Sequence, residues 1–225
     1  MSGERPLRNR PSLKRLSPWA IAAVPAMLVA ALGACMTTAD HPETASTKNT
    51  LASVESFSSI SDPAQRSAAL FVEAARVLQH PRCLNCHPVT RSPTQGDDLH
   101  PHVPPISSDA DIAASGMPCS TCHQTHNSPT SSAGIRSIPG AEHWGLAPAS
   151  MAWQGLTTAE VCEQIKDPAR NGNRSLEKIR VHLAEDHLVG WAWHPGEGRE
   201  PVPGTQEQFG ELIAAWEETG AHCPQ

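Results

Sequence analysis

Cys83-Leu84-Asn85-Cys86-His87 and Cys119-Ser120-Thr121-Cys122-His123 repeat the spacing Cys-x-x-Cys-His twice within 41 residues. No other feature of the chain limits its fold as strongly. Two thiols three residues apart can add to the two vinyl groups on one edge of a porphyrin. The adjacent imidazole then turns beneath the ring to reach the iron, which is the attachment signature of haem c. Read this way, Cys83, Cys86, Cys119 and Cys122 are the attachment residues, His87 and His123 are the proximal iron ligands, and the cofactors are two haems c. Two other readings compete. The 32 residues between the Cys pairs would permit a four-Cys zinc ribbon, although zinc does not call for a His after both pairs. Simple disulfides within each pair are the third possibility.

Composition supports a fold built around cofactors. Of 225 residues, 21 are Pro and 15 are Gly, Tyr is absent and aromatics make up 4%. A chain so poor in large apolar side chains needs metals, disulfides or cofactors to organise its core. Residues 81–155 show almost no hydrophobic periodicity, so the spacing predicts loops there and no long strand. Helices are expected on either side. Ser61 can cap one that begins with Asp62 and Pro63 and places Ala68, Phe71, Ala75 and Leu78 on one face. Thr157 with Glu160, and Thr205 with Gln208, have the spacing of capping boxes. Ser175 can start a further helix carrying Leu176, Ile179 and Leu183. The last helix would bury Phe209, Leu212, Ile213 and Trp216 and stop at Gly220. The expected fold class is mainly α with extensive irregular loops, a di-haem cytochrome c organised around covalent haems, with a small helical C-terminal part. The expected organisation is 62–155 as the haem-binding region and 156–225 as the helical part of the same globular unit.

The N-terminus reads as a targeting segment. Arg5, Arg8, Arg10, Lys14 and Arg15 precede an apolar stretch from Pro18 to Leu32, short for a membrane span. Leu32-Gly33-Ala34-Cys35 has the form of a bacterial lipobox, which makes 1–34 a lipoprotein-type signal peptide and Cys35 the lipidated residue. An ordinary signal peptide and an uncleaved anchor are the alternatives. All three place the rest outside the cytoplasm, the lipoprotein reading on the periplasmic membrane surface. Ser, Thr and Ala dominate 36–61, so 35–61 is expected to be a flexible tether. Without residues 1–34 the chain has 22 acidic and 12 basic residues, a net charge of −10. That balance argues against a nucleic-acid partner.

Each haem iron has a sixth position to fill. His102 and Met151 are the candidate distal ligands, with His100 and His143 in reserve. His100 and His102 flank Pro101 in a loop between the motifs, and Met151 lies 28 residues beyond His123. His126 would fall one helical turn from His123, and His80 is similarly close to the first motif. Cys162 and Cys223 remain as a possible disulfide in an oxidising compartment. Trp144, Trp153, Trp191 and Trp193 are expected to pack on porphyrin edges or line the core.

A set of further motifs carries a resemblance. Gln95-Gly96-Asp97-Asp98, Cys119-Ser120-Thr121-Cys122-His123-Gln124, His143-Trp144-Gly145-Leu146-Ala147-Pro148, Met151-Ala152-Trp153, Lys166-Asp167-Pro168-Ala169-Arg170-Asn171-Gly172 and Gly220-Ala221-His222-Cys223-Pro224 stand in the chain. From about residue 70 onwards the sequence resembles a family of bacterial secreted di-haem cytochromes often named "isoquinoline 1-oxidoreductase subunit". The name implies association with a molybdenum hydroxylase that oxidises N-heterocycles or aldehydes. The chain lacks a C-x4-C-x2-C run and is too short for a molybdopterin domain. The resemblance therefore implies an electron-transfer subunit rather than the hydroxylase itself. The rival expectation is a small di-haem enzyme such as a peroxidase, with His100, His143 or Glu142 above an open iron.

Overall fold

The structure is a computed structural model that describes residues 49–109, 112–113, 117–131 and 137–225. The signal segment and Cys35 lie outside the described residues, as does the expected tether up to residue 48. All described residues belong to one unit, and none of its helices is long and apolar enough to cross a membrane.

Helices frame the core. Helix α1, Pro63–Leu78, starts with Pro63 in its first turn, so the cap falls on Asp62, whose side chain accepts from Gln65 N. The expected cap at Ser61 is displaced by one residue for that reason. α2, Pro81–Leu84, is a single turn capped by His80. α3, Thr158–Lys166, and α6, Gln206–Glu218, open with complete capping boxes at Thr157/Glu160 and Thr205/Gln208. α4, Leu176–Glu185, is capped by Ser175, and the short α5, His187–Gly190, by Asp186.

The core forms where α6 packs against α1 and α4. Phe71 of α1 and Trp216 of α6 meet at 5.0 Å between ring centres. Buried Ser67 crosses the same interface. It donates to the Trp216 carbonyl at 3.1 Å and accepts from His222 N at 2.9 Å. The chain turns at Gly220, with φ +103°, and brings Cys223 back to Cys162 of α3. The two are joined in a disulfide with Cα atoms 5.6 Å apart.

Ordered packing reaches further towards the N-terminus than a tether over 35–61 would allow. Leu51 is buried. Arg76 Nη1 donates to Thr50 O at 2.7 Å, Ala52 N to Glu73 Oε1 at 2.9 Å, and Gly204 N to Asn49 O at 2.9 Å. From Asn49 on, the chain lies against the helical core.

The irregular middle holds three two-stranded antiparallel ladders: β1 Thr94–Gln95 with β2 His100–Pro101, β3 Ser108–Asp109 with β4 Ile112–Ala113, and β5 His126–Pro129 with β6 Ser137–Ala141. His126 therefore lies on a strand, exposed, and not on a helical turn continuing from His123.

Candidate functional site

The two Cys-x-x-Cys-His motifs adopt the same local geometry. Each makes one helical turn, in which the His N–H donates to the carbonyl of the first Cys: His87 to Cys83 at 3.2 Å and His123 to Cys119 at 3.0 Å. A four-residue step puts that Cys and the His on one face. In both, Nδ1 meets a backbone carbonyl, Met151 O at 2.7 Å for His87 and Pro139 O at 2.8 Å for His123. A carbonyl can only accept, so Nδ1 carries the proton and Nε2 keeps its lone pair, the arrangement that presents imidazole to a metal. Both rings also lie against indoles. His87 stacks on Trp153 at 3.5 Å, and His123 on Trp144 at 4.7 Å. Burial depresses both histidines, His87 to about 4, so the neutral form prevails.

The first motif is locked by residues far along the chain. Ala147 N donates to Cys86 O at 3.0 Å, and Trp153 N to His87 O at 2.9 Å. Gln154 Nε2 reaches Leu84 O at 3.0 Å. At the second motif, Pro139 sits on β6, next to Gly140. A Cβ at Gly140 would collide with the His126 and Gln124 carbonyls. Only glycine lets β6 approach closely enough to offer the Pro139 carbonyl to His123.

Cys83 and Cys86 are thiols. Burial first, and then the neighbouring Cys86, push the Cys83 thiol up to about 12. Burial and then the charge of Cys119 push Cys86 up to about 11. The two motifs therefore stand within electrostatic reach of each other. Among the described residues, no three His, Cys, Asp or Glu side chains come together as a metal-binding group.

A cavity of about 270 Å³ opens beside Cys83, Cys86 and His87. Its walls include Leu78, Ile179, Leu183 and Phe209, and Arg82, Arg170 and Arg174 also line it. Arg170 and Arg174 are exposed, whereas Arg82 is buried and paired with Asp97. Apolar walls with guanidinium groups suit a flat apolar ring carrying carboxylates. Gln164 donates to Ser150 O at 2.7 Å, and its buried Oε1 has no protein partner. A second cavity, about 290 Å³, lies beside His123. His143 and Trp144 line both. The residues around the first cavity thus fit a covalently held haem, whereas the second cavity is lined by His123 but by neither Cys119 nor Cys122.

The candidate distal ligands fare differently. The His102 ring centre lies 6.0 Å from that of His123, and its Nδ1 is bonded to Pro104 O at 2.8 Å. Two imidazoles on opposite sides of one iron, each bound at about 2 Å, have centres about 6 Å apart. Met151 is placed otherwise. Its carbonyl accepts from His87 Nδ1, and the residue also lines the first cavity. His100 is exposed and tied to Asp98 at 2.6 Å. His143 is exposed, at φ +59°. A residue without an expected role, His182 of α4, lines the first cavity. Its spacing to Asp186, four residues on, was visible in the sequence, but nothing there placed it in the same cavity wall as His87. The chain matches no known family model, no curated protein and no solved structure.

Proposed function

We propose that the protein is a di-haem c-type cytochrome working as an electron-transfer subunit outside the cytoplasm. The observation that carries this reading is the repeated setting of His87 and His123, each on a helical turn with Nδ1 on a carbonyl and a tryptophan at its face. Haem c supplies a one-electron iron couple. Cys83, Cys86, Cys119 and Cys122 would anchor the two rings, His87 and His123 would each ligate an iron, and His102, with its ring centre 6.0 Å from that of His123, would supply a further imidazole at the second site. The wall that His143 and Trp144 share between the two cavities favours exchange between the sites.

A pyridine haemochrome assay on protein made with haem-maturation machinery gives two haems per chain; zinc, one haem or none would overturn the reading. The resemblance suggests a molybdenum hydroxylase as electron donor. Its co-purification with the chain, and loss of substrate-dependent haem reduction when it is deleted, test that partner. The Leu32–Cys35 motif assigns the chain to the periplasm through a lipid on Cys35, and Cys35→Ser then releases it from the membrane fraction.

A further inference from the structure

Resting on the haem reading, we propose that His182 is the second axial ligand at the first site, opposite His87, and that Asp186 positions it. Both histidines line one cavity. His182 Nδ1 lies 3.1 Å from Asp186 Oδ2, one helical turn on. The carboxylate accepts a hydrogen bond from Nδ1–H, leaving Nε2 as the coordinating atom, which repeats with a carboxylate what Met151 O does for His87.

The carboxylate is itself fixed. Asp186 Oδ1 accepts from Leu188 N at 2.8 Å as the cap of α5, and its carbonyl accepts from Gln206 Nε2 at 3.0 Å. His182 thus sits on a helix with an anchored orienting group, which holds a ligand more tightly than a loop does. Two other candidates share the cavity wall. Met151 meets His87 through its carbonyl, and His143 is an exposed loop residue with positive φ. With His182 at the first site and His102 at the second, both irons are bis-histidine and closed to added ligands.

The test uses the full chain loaded with haem. Wild type shows two haems per chain and only bis-histidine bands in near-infrared magnetic circular dichroism. His182→Ala keeps two haems, but one of the two turns high-spin, binds carbon monoxide when reduced and returns to low spin with added imidazole. His182→Met converts one of the two bands to the His/Met type and raises one potential, because a thioether favours ferrous iron more than imidazole does. Asp186→Asn shifts the same potential upward and leaves the coordination number unchanged, because a neutral amide makes the imidazole a weaker donor. His100→Ala, at an exposed residue paired with Asp98, leaves both bands in place. Two unchanged low-spin haems in His182→Ala, or a wild-type spectrum without a bis-histidine band, overturn the assignment while the haem count upholds the cytochrome reading. A wild type without haem overturns both. Where His182→Ala does not fold, the wild-type band and the Asp186→Asn potential decide.

Discussion

The imidazole of His87 and the indole of Trp153 lie stacked 3.5 Å apart and 4° from parallel. Trp153 is buried, and its own N–H is bonded to the His87 carbonyl. One residue therefore fixes both the plane of the ring and the backbone beneath it. Trp153→Ala should cost about 3–5 kcal/mol, as expected for deleting a buried indole. Urea unfolding of the haem-loaded protein measures the loss, and Trp153→Phe, which keeps a flat ring, should lose less.

Gly140→Ala should act on the second site alone. The added methyl would meet the His126 and Gln124 carbonyls, so β6 must move away from β5. The Pro139 carbonyl moves with it and His123 loses its orienting acceptor. The expected outcome is lowered loading or a loosened iron at the second haem, with the first unchanged, read from the haem count and low-temperature electron paramagnetic resonance.

The Cys162–Cys223 bridge spans 61 residues and ties the C-terminal tail to α3. Removing a native disulfide from a small secreted domain costs about 2–5 kcal/mol. Cys223→Ser should lower stability by that amount in urea titration. α3 also supplies Gln164 and Ile165 to the first cavity wall, so a shift in the first haem's spectrum should accompany the loss.

His80 should make stability depend on pH. Its Nδ1 accepts from Arg82 N at 3.2 Å and caps the turn that carries Cys83. Burial, and then the charge of Arg82, hold its pKa below the ordinary value of about 6.5. The unfolded chain therefore binds the proton more readily. The contribution is complete above about pH 6.5 and is lost as the pH falls through the lower folded value. The slope should stay well under about 1.4 kcal/mol per pH unit, because the ring is partly solvated. His80→Asn keeps a cap acceptor without titrating. The difference in unfolding free energy between wild type and variant should be flat near pH 7 and change in acid.

Much of this protein is decided locally, and those parts were legible in the sequence. The Thr157/Glu160 and Thr205/Gln208 boxes and the Ser175 cap satisfy orphan N–H groups within one turn, so a four-residue window contains the whole cause. The helical turns at the Cys-x-x-Cys-His motifs, by contrast, fall in the stretch expected to be loop. The cap of α1 was also within reach, since a proline in the first turn points to the residue before it.

Tertiary structure decided the rest. The two-residue ladders are too short to show any period, and they exist because neighbouring chain segments are held against them. The acceptors of Met151 and Pro139 are main-chain carbonyls, which every residue possesses, so no side-chain pattern could mark them. His182 and Asp186 have a visible helical spacing, but only the packing of α4 against α6 and α3 brings His182 into the cavity that His87 also lines. The residues available for holding the cofactors were written in the sequence. Which of them share a cavity depends on packing that joins residues as far apart as His87 and His182, 95 positions on, and only the folded core supplies that packing.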